Sequence, residues 1–178
     1  MPALYRRLLG PAFDSLPRSL RDFHDVERER RFDAVFRITR GRGLLCRLLC
    51  KLGGLPPAGE AVPVNLRVFP EGDAEHWVRD FGGHRLESVQ RIRDGLMVES
   101  FPNGWRLGFR LVVEGPTLQL SLCRAWLLGV RCPLALAPRG EGSETGQDDG
   151  CAIVARAGAP LAGFLIQYEG LVRPAEGA

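Results

Sequence analysis

Two polar side chains interrupt an apolar pattern near the middle of the chain. Asp94-Gly95 is the residue pair that a two-residue type I′ hairpin prefers, because both positions need a positive φ. Counting outward from this turn sets Gln90 opposite Glu99, on a face shared with Ile92 and Met97. A carboxylate on an apolar face must find partners or acquire a raised pKa. Either property suits a general acid or base, or a ligand anchor.

Polar and aromatic residues also share one face of the preceding segment. Glu75, Trp77, Arg79 and Phe81 stand at alternate positions. If the two aromatic rings point into the core, Glu75 and Arg79 point there as well, and a buried pair of opposite charge lies beside Glu99. Such a lining could hold a ligand that carries one polar group. A salt bridge at the mouth of a barrel explains the same pattern, so both interpretations stay open.

A second turn and the last predicted strand add two candidates. Gly115-Pro116 predicts a tight turn that sets Leu107 beside Arg124 on a strongly apolar face. Arg110 or Arg124 could pair with Glu99 in a structural network, or Glu99 could lie on an edge strand in water. Tyr168 shares a face with apolar residues of the last strand, so its hydroxyl becomes the polar tip of an apolar wall. The candidate ligand-binding residues are therefore Glu99, Gln90, Arg79, Trp77, Tyr168 and Arg124. The candidate catalytic residues are Glu99 and Glu75.

Eight segments with a period of two must position these side chains. They are separated by turn residues, as is typical of antiparallel strands with short connections. The segments are 62–68, 75–81, 84–93, 96–101, 105–113, 117–126, 151–156 and 161–172. Residues 32–38 alternate in the same way and predict a further strand nearer the N-terminus.

These segments predict an α+β fold. We expect an antiparallel meander sheet of about eight or nine strands, curled or barrel-like, with short N-terminal helices packed against it. A single domain is expected over residues 1–178, with a helical and mixed part at 1–60 and the sheet at 61–175. Residues 138–150 are rich in Gly, Ser, Asp and Glu and lack periodicity, which predicts a mobile loop.

One predicted helix, at residues 43–52, combines leucines with basic residues. Arg42, Arg47 and Lys51 accompany its leucine face, so the helix could rest on an anionic membrane. More commonly such a helix plugs one end of a barrel and keeps its cations in water. Of the three histidines, His24 is the one expected to be fixed between helix and sheet.

Composition argues against several classes of function. The net charge of +3 comes from 24 basic and 21 acidic residues spread along the chain, without the dense basic stripe of a nucleic-acid-binding protein. No apolar run is long enough to span a bilayer and no signal peptide is predicted, so we expect a cytoplasmic location without an integral membrane segment. The five cysteines lack zinc-ribbon spacing, and no glycine-rich motif matches a nucleotide fingerprint. We therefore expect neither a metal nor another cofactor.

Several short motifs are distributed over nearly the whole chain. They are Leu4-Tyr5-Arg6-Arg7-Leu8-Leu9-Gly10, Leu16-Pro17, Phe23-His24, Glu75-His76-Trp77-Val78-Arg79-Asp80-Phe81-Gly82-Gly83, Glu99, Leu128-Gly129, Cys132-Pro133-Leu134 and Tyr168-Glu169-Gly170. By these motifs the chain resembles an uncharacterised bacterial family of domains of unknown function, found alone or fused C-terminal to reductases of the saccharopine-dehydrogenase-like or short-chain type. The resemblance supplies no activity. Its fusions imply a helper in the oxidoreduction of an apolar or lipid-like metabolite, with a reductase as partner.

Three functions are compatible with these residues. The first is an accessory binding domain that encloses a small apolar or lipid-like metabolite and anchors it through the candidate ligand-binding residues. The second is a cofactor-independent enzyme of the cyclase, isomerase or lyase type, in which Glu99 or Glu75 is the general acid or base. The third is a structural domain with a filled core, which follows if bulky side chains such as Trp77 and Trp126 crowd the interior.

Overall fold

Alternating apolar residues from Arg30 onward form a closed barrel of ten antiparallel strands, to which a two-residue strand is added. The computed structural model describes residues 2–133 and 135–175. The strands are β1 (Arg30–Arg40), β2 (Gly59–Glu71), β3 (Ala74–Phe81), β4 (His84–Arg93), β5 (Leu96–Ser100), β6 (Trp105–Glu114), β7 (Thr117–Leu127), β8 (Val130–Arg131), β9 (Arg139–Gln147), β10 (Gly150–Ala159) and β11 (Gly163–Pro174). The predicted α+β class and barrel-like meander are confirmed, with more strands than expected.

The strands follow one another around the barrel in chain order. Each of the strands β1 to β6 pairs with the strand that follows it, and β10 pairs with both β9 and β11. Pairing of β7 with β9 and of β1 with β11 closes the ring, while β8 only extends the edge of β7. Closure removes the free edges that an open sheet of this size would expose. Because β1 belongs to the ring, the sheet is not confined to residues 61–175.

The β4–β5 hairpin has the predicted turn and register. Asp94 and Gly95 have φ angles of 51° and 71°. Gln90 pairs with Glu99, as the turn predicts. The register matters because it places the polar side chains of β4 and β5 on the inner face of the barrel.

The β6–β7 hairpin keeps the predicted register only from its turn as far as Phe109. A bulge then adds one residue to β7, so that Leu107 pairs with Ala125 instead of Arg124. The extra residue turns Arg124 and Trp126 to the outer face. Their predicted positions on the core face were therefore wrong.

Residues 139–147 form strand β9, which corrects the prediction of a mobile loop at 138–150. The strand pairs with β7 on one side and β10 on the other, so the barrel cannot close without it. Its inward positions are Gly140, Gly142, Glu144 and Gly146. Since glycine contributes no apolar side chain, this strand carries no hydrophobic alternation to detect.

Three short helices close the end of the barrel at which the chain enters β1. They are α1 (Leu4–Leu9), a 3-10 helix (Gly10–Ser15) and α2 (Arg18–His24), and we call residues 4–24 the plug. Phe13, Leu20 and Phe23 are fully buried against inward side chains of the barrel. Each such side chain contributes about 2 kcal/mol when it is removed from water. Plug and barrel therefore share one core.

Helix α3 (Leu44–Leu52) lies at the opposite end, between β1 and β2. It buries Cys46 and Cys50 against Leu165 of β11, whereas its leucines at 44, 45, 48 and 52 are exposed. Helix α3 thus lies at one end of the barrel and keeps Arg47 and Lys51 exposed, as expected, whereas the N-terminal helices close the other end. No helix in the described ranges has the length and apolar character needed to cross a bilayer.

Candidate binding site in the barrel interior

An ion pair connects β3 and β5 inside the barrel. Nη2 of Arg79 donates a hydrogen bond of 2.9 Å to Oε1 of Glu99, across the intervening strand β4. Ser88 of β4 completes the group, since it accepts a hydrogen bond of 2.9 Å from Nη1 of Arg79 and donates one of 2.5 Å to the same glutamate oxygen. The partner of Glu99 is thus Arg79, and not an arginine of β6 or β7.

The ion pair is buried without being sealed from the barrel interior. The side chain of Arg79 is 16% exposed and that of Glu99 is 12% exposed, although both lie inside the ring of strands. Burial alone would lower the pKa of Arg79, but the nearby Glu99 and Tyr168 outweigh burial, and the pKa of this guanidinium is raised. Arg79 is therefore a permanent cation that Glu99 neutralises.

Tyr168 of β11 lies near this pair. Its ring centroid is 5.7 Å from that of Phe36 and 6.0 Å from that of Phe81. Burial raises the pKa of Tyr168 against the opposing effect of Arg79, and the charge of Glu99 raises it further. At neutral pH the hydroxyl consequently keeps its proton and can donate a hydrogen bond.

Trp77 supports Arg79 from the same strand. The guanidinium carbon of Arg79 lies 5.1 Å from the centroid of the Trp77 ring, within cation–π range. Trp77 is itself buried and packs edge-on against Phe23 of the plug, with ring centroids 5.8 Å apart. The plug thereby holds in place a side chain on which the ion pair rests.

A second polar layer lies between the ion pair and the plug. The hydroxyl of Tyr5 donates a hydrogen bond of 3.2 Å to Oε1 of Gln90. Oε1 of Glu75 accepts a hydrogen bond of 2.9 Å from the N–H of Leu4, in the first turn of α1. Glu75 thus does not pair with Arg79 as predicted, and burial raises the pKa of its carboxyl group. Its Oε2 is buried without a hydrogen-bond partner among the described residues.

His24 and Glu144 join α2 to β9. Nε2 of His24 is in hydrogen-bonding contact with Oε2 of Glu144. The imidazole also stacks on Tyr5, with ring centroids 3.8 Å apart. This confirms that His24 is fixed between helix and sheet. Glu144 was missed by sequence reasoning, and its one signal was the run of glycines at every second position around it.

Several inward side chains of β6, β7, β9 and β10 are small or partly accessible. Gly140 and Gly142 of β9 and Ala157 of β10 are inward positions with little side chain. Phe109 and Leu120 pack against the core yet stay partly accessible. By contrast, the inward side chains of β1 to β3 are mostly fully buried. These inward side chains are therefore less completely buried than those of β1 to β3.

Arg124 is the one candidate that the structure places elsewhere. It lies on the outer face and forms an exposed ion pair of 3.2 Å with Asp94. The β7 bulge that moves it also moves Trp126, whose ring lies over Gly108. Neither side chain lies in the interior of the barrel.

Two clefts indent the surface at opposite ends of the barrel. One, of about 520 Å³, lies between α2 and the β9–β10 turn. The other, of about 320 Å³, lies beside the end of α3, where Gly54, His84 and Leu86 line it. Leu86 is an inward residue of β4, whereas Arg85 and Glu87, which also line this cleft, are outward. In the described part of the chain, no three His, Cys, Asp or Glu side chains are grouped to hold a metal ion.

Comparison with known proteins gives one family. Residues 16–172 match the model of a family described as "Domain of unknown function (DUF4166)". The matched range contains Arg79, Ser88, Glu99 and Tyr168, and it begins within the plug. Neither the curated proteins nor the solved structures contain a match.

Proposed function

The chain belongs to the DUF4166 family, and we propose that its barrel binds a small, largely apolar molecule with one uncharged polar group. The observation that carries this proposal is the Arg79–Glu99 pair, which keeps accessible surface inside a closed barrel. A domain with a filled core would seal such a pair. A polar group set in an otherwise apolar enclosure is typical of small-molecule sites, where it fixes the orientation of the ligand.

The polar group of the ligand is uncharged because the site has no unpaired cation to offer. The guanidinium of Arg79 is already neutralised by Glu99, so an anionic head group would compete with a bonded carboxylate. A hydroxyl, ketone or amide is favoured instead. The hydrogen bonds from Arg79 and Ser88 both go to Oε1 of Glu99, which leaves Oε2 to accept one from the ligand. Tyr168 can donate a hydrogen bond to a ligand carbonyl.

The apolar part of the ligand lies along the wall formed by β6 to β11. Phe109 and Leu120 present apolar surface there, and the inward glycines of β9 leave room beside them. The cleft beside α3, which is lined in part by the inward residue Leu86, is the proposed entrance. The plug closes the other end, so the ligand enters and leaves from the α3 side.

The uncharged ketone dye Prodan tests the proposal, because its emission shifts to the blue when it leaves water. We expect the dye to bind the wild-type protein and a carboxylate-bearing dye, dansylundecanoic acid, to bind more weakly. Ala155→Phe should abolish Prodan binding, since Ala155 pairs with Tyr168 and faces the interior. Val154→Phe, with the new ring on the outer face, is the matched control and should bind normally.

Failure to fold is separated from loss of the site by melting temperatures of both variants. If Ala155→Phe and Val154→Phe melt alike and bind Prodan alike, the interior is not the binding site. Native mass spectrometry of protein purified from its host gives independent evidence, because a retained molecule would identify the ligand class. Absence of both a retained molecule and a Prodan signal would contradict the proposal.

Glu99→Gln addresses the second candidate, a cofactor-independent enzyme. For a binding domain, we expect this change to alter ligand affinity by about 1 to 3 kcal/mol, the range for one altered buried hydrogen bond. For an enzyme, it would stop turnover and leave binding in place. The other candidate base, Glu75, is held against α1 by the plug, which favours Glu99. A partner reductase stays a prediction.

A further inference from the structure

The two ends of the barrel differ in charge. Helix α3 and the connections at 41–43, 53–58, 82–83, 101–104, 128–133, 135–138 and 160–162 lie at one end, which we call the α3 end, and the plug lies at the other. The charged residues of α3 and of the connections at the α3 end are all basic: Arg42, Arg47, Lys51 and Arg131. The turns between strands at the plug end carry only acidic charges, Asp73, Asp94, Asp148 and Asp149, whereas the plug itself carries both signs, with four arginines and two aspartates.

Exposed apolar side chains are concentrated at the same end. Helix α3 exposes four leucines, and Leu44 is 83% exposed. The neighbouring connections expose Leu128, Val130, Leu136 and Leu161, of which Leu161 is 97% exposed. In the described residues of the plug and of the turns at its end, no large apolar side chain is exposed to this degree. Exposed apolar surface that is gathered in one place marks an interaction site.

These exposed groups belong to one continuous face. Nδ2 of Asn103 donates a hydrogen bond of 3.3 Å to the carbonyl of Leu52, which joins the end of α3 to the 101–104 connection. The N–H of Leu128 bonds the carbonyl of Gly104 at 3.0 Å, which joins the next connection to the same group. The turn at 160–162 precedes β11, the strand on which α3 packs.

We propose that the α3 end docks on the surface of an anionic lipid bilayer. The exposed leucines would enter the boundary between head groups and acyl chains, and the basic residues would contact acidic head groups. Exposed apolar side chains on a helix and on connections whose own charged residues are all basic match that surface in both respects, and Glu60 at the start of β2 is an exposed anion beside them. The acidic turns of the plug end then face away from the membrane. This inference goes beyond the proposed ligand site and stands on different residues.

Vesicle flotation tests the inference with the full chain. We expect the wild-type protein to float with phosphatidylcholine vesicles that contain phosphatidylglycerol, and to bind them less well in high salt. Leu44→Glu with Leu48→Glu should weaken binding by about tenfold or more, because two apolar contacts are lost. Arg47→Ala and Lys51→Ala should each weaken binding to the anionic vesicles by about fivefold, and leave binding to pure phosphatidylcholine unchanged.

Matched controls lie elsewhere on the molecule. Val112→Glu changes an exposed apolar residue of the barrel wall, and Arg18→Ala changes an exposed base of the plug. Both should bind vesicles as the wild type does. Because all six substituted positions are at the surface, melting temperatures should stay close to that of the wild type, which separates lost binding from lost folding.

Three outcomes would overturn the inference. The first is a wild-type protein that stays unbound in the presence of phosphatidylglycerol vesicles, which would point to a protein partner. The control variants could lose binding as strongly as the α3 variants. Sedimentation equilibrium could instead show a dimer that Leu44→Glu with Leu48→Glu dissociates, and the face would then be an interface between two copies of the chain.

Discussion

Arg79 and Glu99 form an ion pair although their strands, β3 and β5, do not touch each other. Strand β4 lies between them, and Ser88 of β4 bonds both partners. The group therefore connects three consecutive strands on the inner face of the barrel. Its contribution to stability depends on both charges being present, because either charge left alone would be buried without a partner.

Removing one partner of the Arg79–Glu99 pair should lower the free energy of unfolding more than removing both. We predict that Arg79→Met lowers the free energy of unfolding by about 3 kcal/mol, since it leaves a buried carboxylate unpaired. The double variant Arg79→Met with Glu99→Gln should recover at least about 1 kcal/mol of that loss. Urea denaturation followed by tryptophan fluorescence measures all variants of the cycle.

The outer face of β4 supplies the control for this cycle. Arg85 and Glu87 form an ion pair of 2.5 Å with both side chains largely exposed. Their double-mutant cycle should give less than about 1 kcal/mol of coupling, because water screens the pair. Equal coupling energies for the inner and outer pairs would show that the Arg79–Glu99 pair is not desolvated.

Glu75 should make the protein less stable as the pH rises. Burial raises its folded-state pKa above the ordinary value of 4.5, so the folded protein holds this proton more tightly than the unfolded chain. The corresponding stability is fully present below the unfolded-state pKa and is lost as pH rises through the folded-state pKa. In Glu75→Gln this decline should be absent, and at neutral pH the variant should be the more stable protein.

The measurement is urea unfolding of wild type and Glu75→Gln from about pH 4 to about pH 8. The amide oxygen of Gln still accepts the hydrogen bond from Leu4, so the comparison isolates the charge. Glu114→Gln, at an exposed position, should leave the pH dependence as in the wild type. Parallel curves for wild type and Glu75→Gln would show that Glu75 titrates alike in the folded and unfolded chains.

Cysteine reactivity reports whether the core is closed. Cys46, Cys50 and Cys151 are buried, whereas Cys123 and Cys132 are partly exposed. Burial and the charge of Glu144 raise the pKa of Cys151 to about 12, so almost none of this thiol is in the reactive thiolate form at neutral pH. We predict that Ellman's reagent labels only Cys123 and Cys132 in the native protein, and all five cysteines after unfolding in guanidinium.

Single serine variants assign the labelled thiols. Cys123→Ser should lower the native count by one thiol, and Cys151→Ser should leave it unchanged. Rapid native labelling of Cys151, which borders the cleft between α2 and the β9–β10 turn, would mean that the plug opens readily.

Two inward glycines should respond differently to an added methyl group. A Cβ atom on Gly170 would collide with the ring of Phe36 and the carbonyl oxygen of Val35, whereas on Gly142 it would come no closer than 3.5 Å to Leu120. Gly170→Ala should lower the free energy of unfolding by about 2 kcal/mol through overpacking. Gly142→Ala should change it by less than about 1 kcal/mol. Thermal melts of the two variants measure the difference. Equal losses of stability would show that the interior is packed as tightly around Gly142 as around Gly170.

Much of the sheet could be predicted because its strands carry local signals. Hydrophobic alternation marks β2 to β7, and Asp94-Gly95 fixes the register of one hairpin through the backbone conformation that the turn requires. The inward direction of Glu99 followed from that register. These features depend on neighbours in the sequence, which is why the sequence alone reveals them.

The remaining features depend on contacts between distant residues. The β7 bulge has no local signature, so Arg124 was placed on the wrong face. Glycines hid β9, and Glu144 with it. The partner of Glu75 is the N–H of Leu4, in a helix that reaches the barrel only in the folded protein. No pattern within either segment indicates that contact.

The pairing of β1 with β11 sets the order in which the barrel can be completed. Phe32 pairs with Pro174, so one side of β1 stays unpaired until β11 has been synthesised. During synthesis, β1 and the growing end of the sheet both expose unpaired N–H and C=O groups to other chains. A nascent chain that stops before β11 would remain an open sheet with two unpaired edge strands. We therefore expect final closure to follow the emergence of β11 from the ribosome, and chaperones that shield strand edges to raise the yield.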